Sequence, residues 1–452
     1  MRPRTDSFLD TIVALATPVG RSALALLRMS GPETRRILAA VAPELARELT
    51  ARYPRLVSFV DDTGEVIDRG LATFFPGPAS STGEDVGELS VHGSPVVVQR
   101  LLSLLCAAGA RHAQPGEFTQ RAYLSGKIDL VEAEATRDLI EARTPAAARA
   151  SARRLEGRLS LRLAQVREDL LCAAAQLAAT IDFSEDVGTE VPAQALSSLA
   201  RAQSELARLA RTYETGRLLS SGCRVALLGS PNVGKSTLFN AIVGSARAIV
   251  TEIPGTTRDT LEAAIDLGGV PVTVVDTAGL RETVDRVEKI GVERAREAGE
   301  SADAVVYVFD AAAGWTAEDE AAAGALSERP ILIVANKIDR LAPGGKPERG
   351  LPLCGLDPQA SVDLRRALEQ TVASRVATEE SSEILGSLRQ KDLVDRAGGT
   401  AAAALESIAR RDSPEYTATH VHAAIDALAD LVGETTSEDV LNRIFSTFCI
   451  GK

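Results

Sequence analysis

A glycine-rich octapeptide constrains the fold of this chain more than any other feature. It spans residues 229–236, reads GSPNVGKS, follows the apolar residues 225–228 and leads into TLFN, a pattern typical of a strand, a tight loop and a helix start. The glycines let backbone N–H groups approach phosphates, Lys235 supplies a cation, and the Ser236 hydroxyl can ligate Mg²⁺. The motif therefore predicts an α/β nucleotide-binding domain.

Two further motifs identify the nucleotide, and each follows an apolar strand pattern of its own. Asp276-Thr277-Ala278-Gly279 offers a carboxylate for the Mg²⁺ shell and a glycine N–H for the γ-phosphate. Asn336-Lys337-Ile338-Asp339 ends in a carboxylate that can accept from both N1–H and the exocyclic amine of guanine, which adenine lacks. The three motifs in this order predict a GTP site.

The residues between the first two motifs have the length and composition of a switch loop. This segment spans 251–259, and its Thr257 hydroxyl can close on Mg²⁺ when the γ-phosphate is present. Leu280 stands where Ras-like enzymes carry the glutamine that orients the attacking water. Two downstream carboxylates, Glu282 and Glu288, are the alternatives for that role, and the residues alone leave the choice open.

Length and composition limit the class of protein. A chain of 452 residues is too long for one core and indicates two or three domains. Five scattered cysteines without metal spacing favour a reducing compartment, and the absence of a long apolar run or signal-peptide core predicts a cytoplasmic protein without a membrane partner. The net charge of −12 argues against non-specific nucleic-acid binding, so an RNA partner must meet a local basic surface.

The patterning predicts a multidomain fold. Residues 1–126 mix strand and helix patterns and predict an α+β domain. Residues 127–217 and 379–452 show helical spacing and predict one discontinuous all-α domain, into which residues 218–378 insert as an α/β P-loop GTPase domain of the Ras-like type. The helical spacing is clearest at Leu159, Leu163, Val166, Leu170, Ala173 and Leu177.

Several other segments have both a functional and a structural interpretation. Residues 82–93 place carboxylates and His92 around glycines, which suits an amino-heterocycle or simply a turn before a strand. The terminal residues 448–452 carry the thiol of Cys449, although chain ends are usually frayed. An arginine run over 143–167 suits phosphate, but a solvated helix face paired with residues such as Glu156 and Glu168 is favoured. Only seven of the 50 basic residues are lysines, which draws attention to Lys127 and Lys452.

The chain resembles the bacterial tRNA wobble-uridine modification GTPases over essentially its whole length. The resemblance rests on TGEDV at 82–86, PGEF at 115–118, GTTRD at 255–259 and FCIGK at 448–452. It implies a homodimer that acts with an FAD-dependent partner protein, as a heterotetramer, to add a carboxymethylaminomethyl group to C5 of the tRNA wobble uridine. It also implies that the N-terminal domain dimerises and binds 5-formyl- or 5,10-methylene-tetrahydrofolate.

The resemblance also implies roles for individual residues and a potassium requirement. Glu288 matches the water-orienting glutamate and is preferred over Glu282. The implied ligand groups are Arg28, Glu88, Lys127 and Lys452 for folate, Ser236 and Thr257 for Mg²⁺, and Asn232, Thr251, Ile253 and Thr256 for K⁺. The implied GTP-binding set comprises Asn232, Val233, Gly234, Lys235, Ser236, Thr237, Thr251, Glu252, Ile253, Pro254, Gly255, Thr256, Thr257, Asp276, Thr277, Ala278, Gly279, Asn336, Lys337 and Asp339.

One departure from the family pattern and one alternative function remain. Residues 353–356 read LCGL where the family usually has a Ser-Ala-Lys/Arg loop at the guanine, so the affinity for the base is in question. The alternative function is a regulatory or ribosome-assembly GTPase switch without modification chemistry. Such factors usually carry an added RNA-binding module, which the sequence does not reveal, and the TGEDV and CIGK segments favour the modification enzyme.

Overall fold

The computed structural model describes residues 10–47, 49–182, 191–245, 261–276, 301–326, 329–373 and 383–451. The strands within these residues are β1 Thr11–Leu15, β2 Ser22–Ser30, β3 Arg55–Val60, β4 Val66–Phe75, β5 Val86–Gly93, β6 Ala110–His112, β7 Cys223–Leu228, β8 Leu261–Leu267, β9 Val270–Asp276, β10 Ala304–Asp310, β11 Ile331–Asn336 and β12 Leu351–Pro352. The α-helices are α1 Thr34–Val41, α2 Glu44–Arg47, α3 Pro95–Ala107, α4 Glu117–Leu124, α5 Leu130–Ile140, α6 Pro145–Leu155, α7 Arg158–Asp182, α8 Ala193–Arg211, α9 Tyr213–Ser220, α10 Lys235–Ser245, α11 Ala317–Gly324, α12 Pro358–Ala373, α13 Leu388–Arg410, α14 Pro414–Val432 and α15 Glu438–Phe445.

The first sheet has the strand order β3-β4-β5-β2-β1-β6. Neighbouring strands are antiparallel except β1 and β6, which are parallel. Successive side chains of a strand point to opposite faces, so Leu27 and Leu89 join the core beneath α1 and α3 while Arg28 and Glu88 lie on the other face. Strand patterns at 11–17, 22–29, 70–75 and 88–92 of the sequence predict β1, β2, β4 and β5, but no such pattern predicts the edge strand β3 or the three-residue β6.

The second sheet has the order β12-β11-β10-β7-β9-β8, and only β8 is antiparallel to its neighbour. Its central strands are almost continuously apolar and buried, as expected for a parallel sheet covered on both faces. The carboxyl ends of β7, β9, β10 and β11 meet at one edge of this sheet, which is where ligands bind in open α/β sheets. All three nucleotide motifs begin at that edge.

The helical residues follow the predicted period. All six residues singled out by their spacing, from Leu159 to Leu177, are buried on α7. The predicted fold class is confirmed: an α+β N-terminal part, a helical part and an α/β P-loop part.

The chain divides into two compact units. One comprises residues 1–137, 163–202 and 396–452, and the other comprises 138–162 and 203–395. The first sheet lies in the first unit and the second sheet in the second. This division does not test the domain boundaries expected at 126, 217 and 378, which stay predictions.

Candidate functional site

The phosphate-binding loop joins β7 to α10 at the carboxyl edge of the second sheet. The Lys235 ammonium donates to the carbonyl oxygens of Gly229 and Ser230, at 2.8 and 2.9 Å. Burial lowers the pKa of Lys235, and the nearby Asp276 carboxylate partly offsets that shift. Lys235 therefore lies folded inside the loop, where phosphate oxygens would be stronger acceptors than the two carbonyls.

Close contacts between the loop backbone and neighbouring atoms require glycine at two positions of the loop. Gly229 and Gly234 have φ of 135° and 99°, in the region that favours glycine. A β-carbon on Gly229 would collide with the carbonyl of Val308 in β10, and one on Gly234 would collide with the Asn336 side chain. The loop is thus shaped by its contacts with β10 and the guanine motif.

Asn336 links the guanine motif to the phosphate loop. Its side chain is 2% exposed, and its amide donates to the Val233 carbonyl at 2.8 Å while its Oδ1 accepts from the Gly355 N–H at 2.9 Å. Asp339, in contrast, is exposed on the 3₁₀ turn that follows β11. Asn336 therefore fixes the two loops against each other, whereas the Asp339 carboxylate is exposed.

The departure from the Ser-Ala-Lys/Arg pattern lies directly beside this motif. Leu353 is buried, donates its N–H to the Ala335 carbonyl at 2.9 Å and accepts from the Ile338 N–H at 3.2 Å. Gly355, two residues on, reaches Asn336 as described. The LCGL segment is therefore held against the guanine motif by its backbone, without the family's side chains.

Two oxygen donors that suit Mg²⁺ lie at the carboxyl edge of the sheet, one at the start of α10 and one at the end of β9. Ser236 is exposed in the first turn of α10, and Asp276 is fully buried at the end of β9, in register with Leu227. A hydroxyl and a carboxylate suit Mg²⁺, which takes its remaining ligands from phosphates and water. In the part of the chain that the structure describes, no three His, Cys, Asp or Glu side chains cluster as a metal site. This donor set fits a cation that is bound together with a nucleotide.

Several predicted site residues lie outside the described residues. They are Thr251, Glu252, Ile253, Pro254, Gly255, Thr256, Thr257, Thr277, Ala278, Gly279, Glu288 and Lys452. Their roles stay predictions.

The structure brings together two of the four predicted folate residues. Arg28 and Glu88 are cross-strand neighbours in β2 and β5, and Nη2 of Arg28 lies 2.8 Å from Oε1 of Glu88. Both side chains are about a quarter exposed, on the sheet face opposite the apolar core. Lys127 is exposed, and a β-carbon on Gly83 of the TGEDV segment would lie 3.5 Å from its Cε.

His92, on β5, has a structural partner. Its Nδ1 lies 2.7 Å from Oδ1 of Asp68, and its backbone N–H donates to Oδ2 of that carboxylate. These two hydrogen bonds give His92 a structural role on β5.

A buried ionic network lies beneath the TGEDV segment, and the sequence did not predict it. The Arg121 guanidinium is fully buried and contacts Asp10, Glu84 and Glu117 at 2.8, 3.0 and 3.0 Å. Arg111 makes a second contact to Glu117, at 2.6 Å. Burial would raise the pKa of Glu117, but the hydrogen bonds from Arg111, the Gln114 N–H and Arg121 hold it below its usual value. The only sequence signal was an arginine inside an apolar helix pattern.

The C-terminal tail is docked rather than frayed. Phe448 is buried, and the Gly116 N–H donates to the carbonyl oxygen of Cys449 at 3.4 Å. Gly451 has φ of 92°, and a β-carbon there would lie 2.5 Å from the carbonyl oxygen of Leu15 at the end of β1. The tail thus lies on the first sheet's unit, with the Cys449 thiol exposed.

Four arginines of the basic run are engaged with carboxylates. Arg154 is buried against Asp138 at 2.9 Å. The other three pairs are Arg158–Glu156, Arg162–Glu205 and Arg167–Glu434, at 3.0, 2.7 and 2.9 Å. These contacts favour ion pairing over a phosphate-binding stripe at these four positions.

Comparisons with known proteins cover nearly the whole chain. The family described as the MnmE helical domain matches residues 130–449, and the family described as the GTP-binding protein TrmE N-terminus matches residues 11–127. The tRNA modification GTPase MnmE of Koribacter versatilis is 41% identical over 98% of this chain and 99% of the relative. The protein of the same name from Aquifex aeolicus is 39% identical over 98% of this chain and 100% of the relative.

A solved structure matches part of the chain. Era from Aquifex aeolicus, bound to GDP and aluminium fluoride, is 25% identical and covers 39% of this chain and 66% of that chain, with a TM-score of 0.27.

Proposed function

This chain belongs to the MnmE family of tRNA modification GTPases, and we propose that it is a potassium-dependent GTPase that modifies the tRNA wobble uridine. In this proposal it adds a carboxymethylaminomethyl group to C5, together with a flavoprotein partner and a one-carbon tetrahydrofolate. That the chain is a GTP hydrolase in tRNA modification follows from the family. The potassium requirement, the folate, the flavoprotein partner and the wobble position go beyond what the family comparison gives and belong to the proposal.

The observation that carries the GTPase assignment is the convergence of three motifs at one sheet edge. Lys235 lies in the loop after β7, Asp276 and Asn336 end β9 and β11 of the same sheet, and Asn336 is hydrogen-bonded to the phosphate loop itself. In this proposal Lys235 binds phosphate oxygens, and the exposed Asp339 carboxylate accepts from guanine. Mg²⁺, when bound at Ser236 and Asp276, offsets the charge that develops on the β- and γ-phosphates.

For potassium we assign the side chain of Asn232, joined by Thr251, Ile253 and Thr256. Asn232 is exposed in the phosphate loop, and its backbone carbonyl already accepts from Lys337 at 2.6 Å. Its side-chain amide oxygen is therefore the donor left for a cation. A monovalent cation there would offset phosphate charge, as an arginine finger does in other GTPases.

The partly exposed Arg28–Glu88 pair supports a folate site on the first sheet. A carboxylate accepts paired N–H donors of an amino-heterocycle, and Lys127 lies next to the TGEDV loop. Gly451 of the docked tail lies against the end of β1, the strand paired with β2, which supports a contribution from Lys452 and a role for Cys449 in the same unit. Folate, tRNA, the homodimer and the FAD-dependent partner belong to the proposal.

We also propose the domain boundaries at 126, 217 and 378 and a cytoplasmic location. Among the described residues, no helix is both long and apolar enough to cross a bilayer.

GTP turnover in potassium and in sodium tests the GTPase step. Steady-state phosphate release by the purified full chain should be at least about tenfold faster in KCl than in NaCl at equal ionic strength. Lys235→Ala should abolish turnover in both salts, because it removes the phosphate-binding ammonium. Equal rates in the two salts would contradict the potassium proposal, whereas no turnover by the wild type in either salt would contradict the GTPase itself.

A further inference from the structure

Asp310 is a carboxylate at the nucleotide edge that belongs to none of the three motifs. It is the last residue of β10 and lies in parallel register with Asn336 of β11. Its Oδ2 accepts from the Lys337 ammonium at 2.8 Å, and its Oδ1 accepts from the Ala312 N–H at 3.0 Å. The carboxylate is thus fixed at one oxygen and aimed at Lys337 with the other.

The Lys337 ammonium bridges Asp310 to the phosphate loop. It donates to the carbonyl oxygen of Asn232 at 2.6 Å as well as to Asp310. Asn232 and Lys337 have φ of 61° and 62°, a left-handed backbone that is uncommon for residues other than glycine. Such conformations persist only where surrounding contacts fix them. The hydrogen bond from the Lys337 ammonium to the Asn232 carbonyl joins these two residues directly.

Two consecutive residues of the guanine motif therefore hold two consecutive carbonyls of the phosphate loop. Asn336 holds Val233, and Lys337 holds Asn232. Each of these two side chains is itself fixed by a second contact, Asn336 by the Gly355 N–H and Lys337 by the Asp310 carboxylate. Asp310 limits the positions that the flexible lysine side chain can take.

The charge of Asp310 matters as well as its position. Burial would raise its pKa, but the hydrogen bonds from Lys337 and Ala312 hold the pKa of Asp310 below its usual value. The side chains of Asp310 and Lys337 are 20% and 21% exposed, so solvent screens the pair only in part. An amide at position 310 would keep the shape and lose the charge-assisted bond.

We propose that Asp310 is a positioning residue for the nucleotide site: it fixes the Lys337 ammonium on the Asn232 carbonyl and so holds the phosphate loop in its binding conformation. Asp310 need not touch GTP. The inference rests on the proposed guanine-nucleotide function of this site.

The substitution Asp310→Asn tests this role in the full chain. Because one charge-assisted hydrogen bond is lost, the KM for GTP and the Kd for GDP should rise about threefold to tenfold, while kcat at saturating GTP stays unchanged. The matched control is Asp363→Asn on α12, whose carboxylate accepts from Gln359 at 3.2 Å. This control should leave both constants at the wild-type values.

A double-mutant cycle separates positioning through Lys337 from a general effect on folding. If Asp310 acts through Lys337, Asp310→Asn should add nothing to the loss caused by Lys337→Met. Unchanged KM and Kd in Asp310→Asn, or fully additive losses in the double variant, would overturn the inference. A wild-type chain that binds no guanine nucleotide would instead overturn the proposed function.

Discussion

Leu280 raises a catalytic question at the scale of single residues. It follows Asp276-Thr277-Ala278-Gly279, and its hydrocarbon side chain cannot hydrogen-bond the water that attacks the γ-phosphate. Two polar side chains at this edge have other partners, since Lys235 binds loop carbonyls and Asn336 binds Val233. We propose that a carboxylate from the segment after Leu280 orients this water, and that it is Glu288.

The variant Glu288→Ala should bind GTP with nearly wild-type affinity while kcat falls by about two orders of magnitude or more, because only the transition-state contact is lost. Nucleotide binding measured by fluorescence and single-turnover hydrolysis separate the two effects. Glu282→Ala is the matched control and should keep its turnover. Normal hydrolysis by Glu288→Ala, or an equal loss in Glu282→Ala, would contradict the assignment.

At the scale of elements, the ionic network around Arg121 joins segments that are distant in the sequence. Asp10 precedes β1, Glu84 precedes β5, Arg111 lies in β6, and Glu117 and Arg121 lie in α4. Removing one member of a buried ionic network leaves its charged partners uncompensated. This destabilises the protein more than replacing the whole network with apolar side chains would. The network therefore fixes the TGEDV loop and α4 on the sheet.

Glu117→Gln should lower the local free energy of unfolding of α4 by about 2–4 kcal/mol at pH 7. Burial acts to raise the folded-state pKa of Glu117, but the hydrogen bonds to this carboxylate lower that pKa overall. The stabilisation by Glu117 is therefore present above the unfolded-state pKa and is lost as pH falls through the folded-state pKa. The difference between variant and wild type should shrink as pH falls from about 5 to 3.

Hydrogen exchange of amides in α4 and β6 measures this effect. Glu65→Gln is the control, since that side chain is 72% exposed and lies 3.7 Å from Arg100. A stability difference that does not depend on pH would contradict a role for the Glu117 charge.

The elements also show which features a sequence predicts. The GKS spacing and the apolar period of α7 are local patterns, so the phosphate loop and the six buried residues of that helix were predicted correctly. Asp310 and Arg121 were not, because their partners are set by strand register and helix packing across long stretches of chain. The pairing of Arg28 with Glu88 was equally inaccessible, although resemblance to a family selected both residues.

At the scale of the whole molecule, one chain carries a sheet with a docked C-terminal tail and a second sheet with a GTP site. Two relatives match over 98% of its length, so both parts of the chain belong to the family. If GTP hydrolysis serves the modification, loss of the phosphate-binding ammonium should abolish the modified nucleoside even when the first sheet is intact. The modified nucleoside in tRNA is therefore the product whose presence tests the central claim.

Mass spectrometry of wobble nucleosides from cells that lack this protein is the most direct test of that claim. We expect the 5-carboxymethylaminomethyl group to disappear from the wobble uridine, to return with the wild-type chain and to stay absent with Lys235→Ala. Unaltered nucleosides in the deficient cells, or full restoration by Lys235→Ala, would contradict the account.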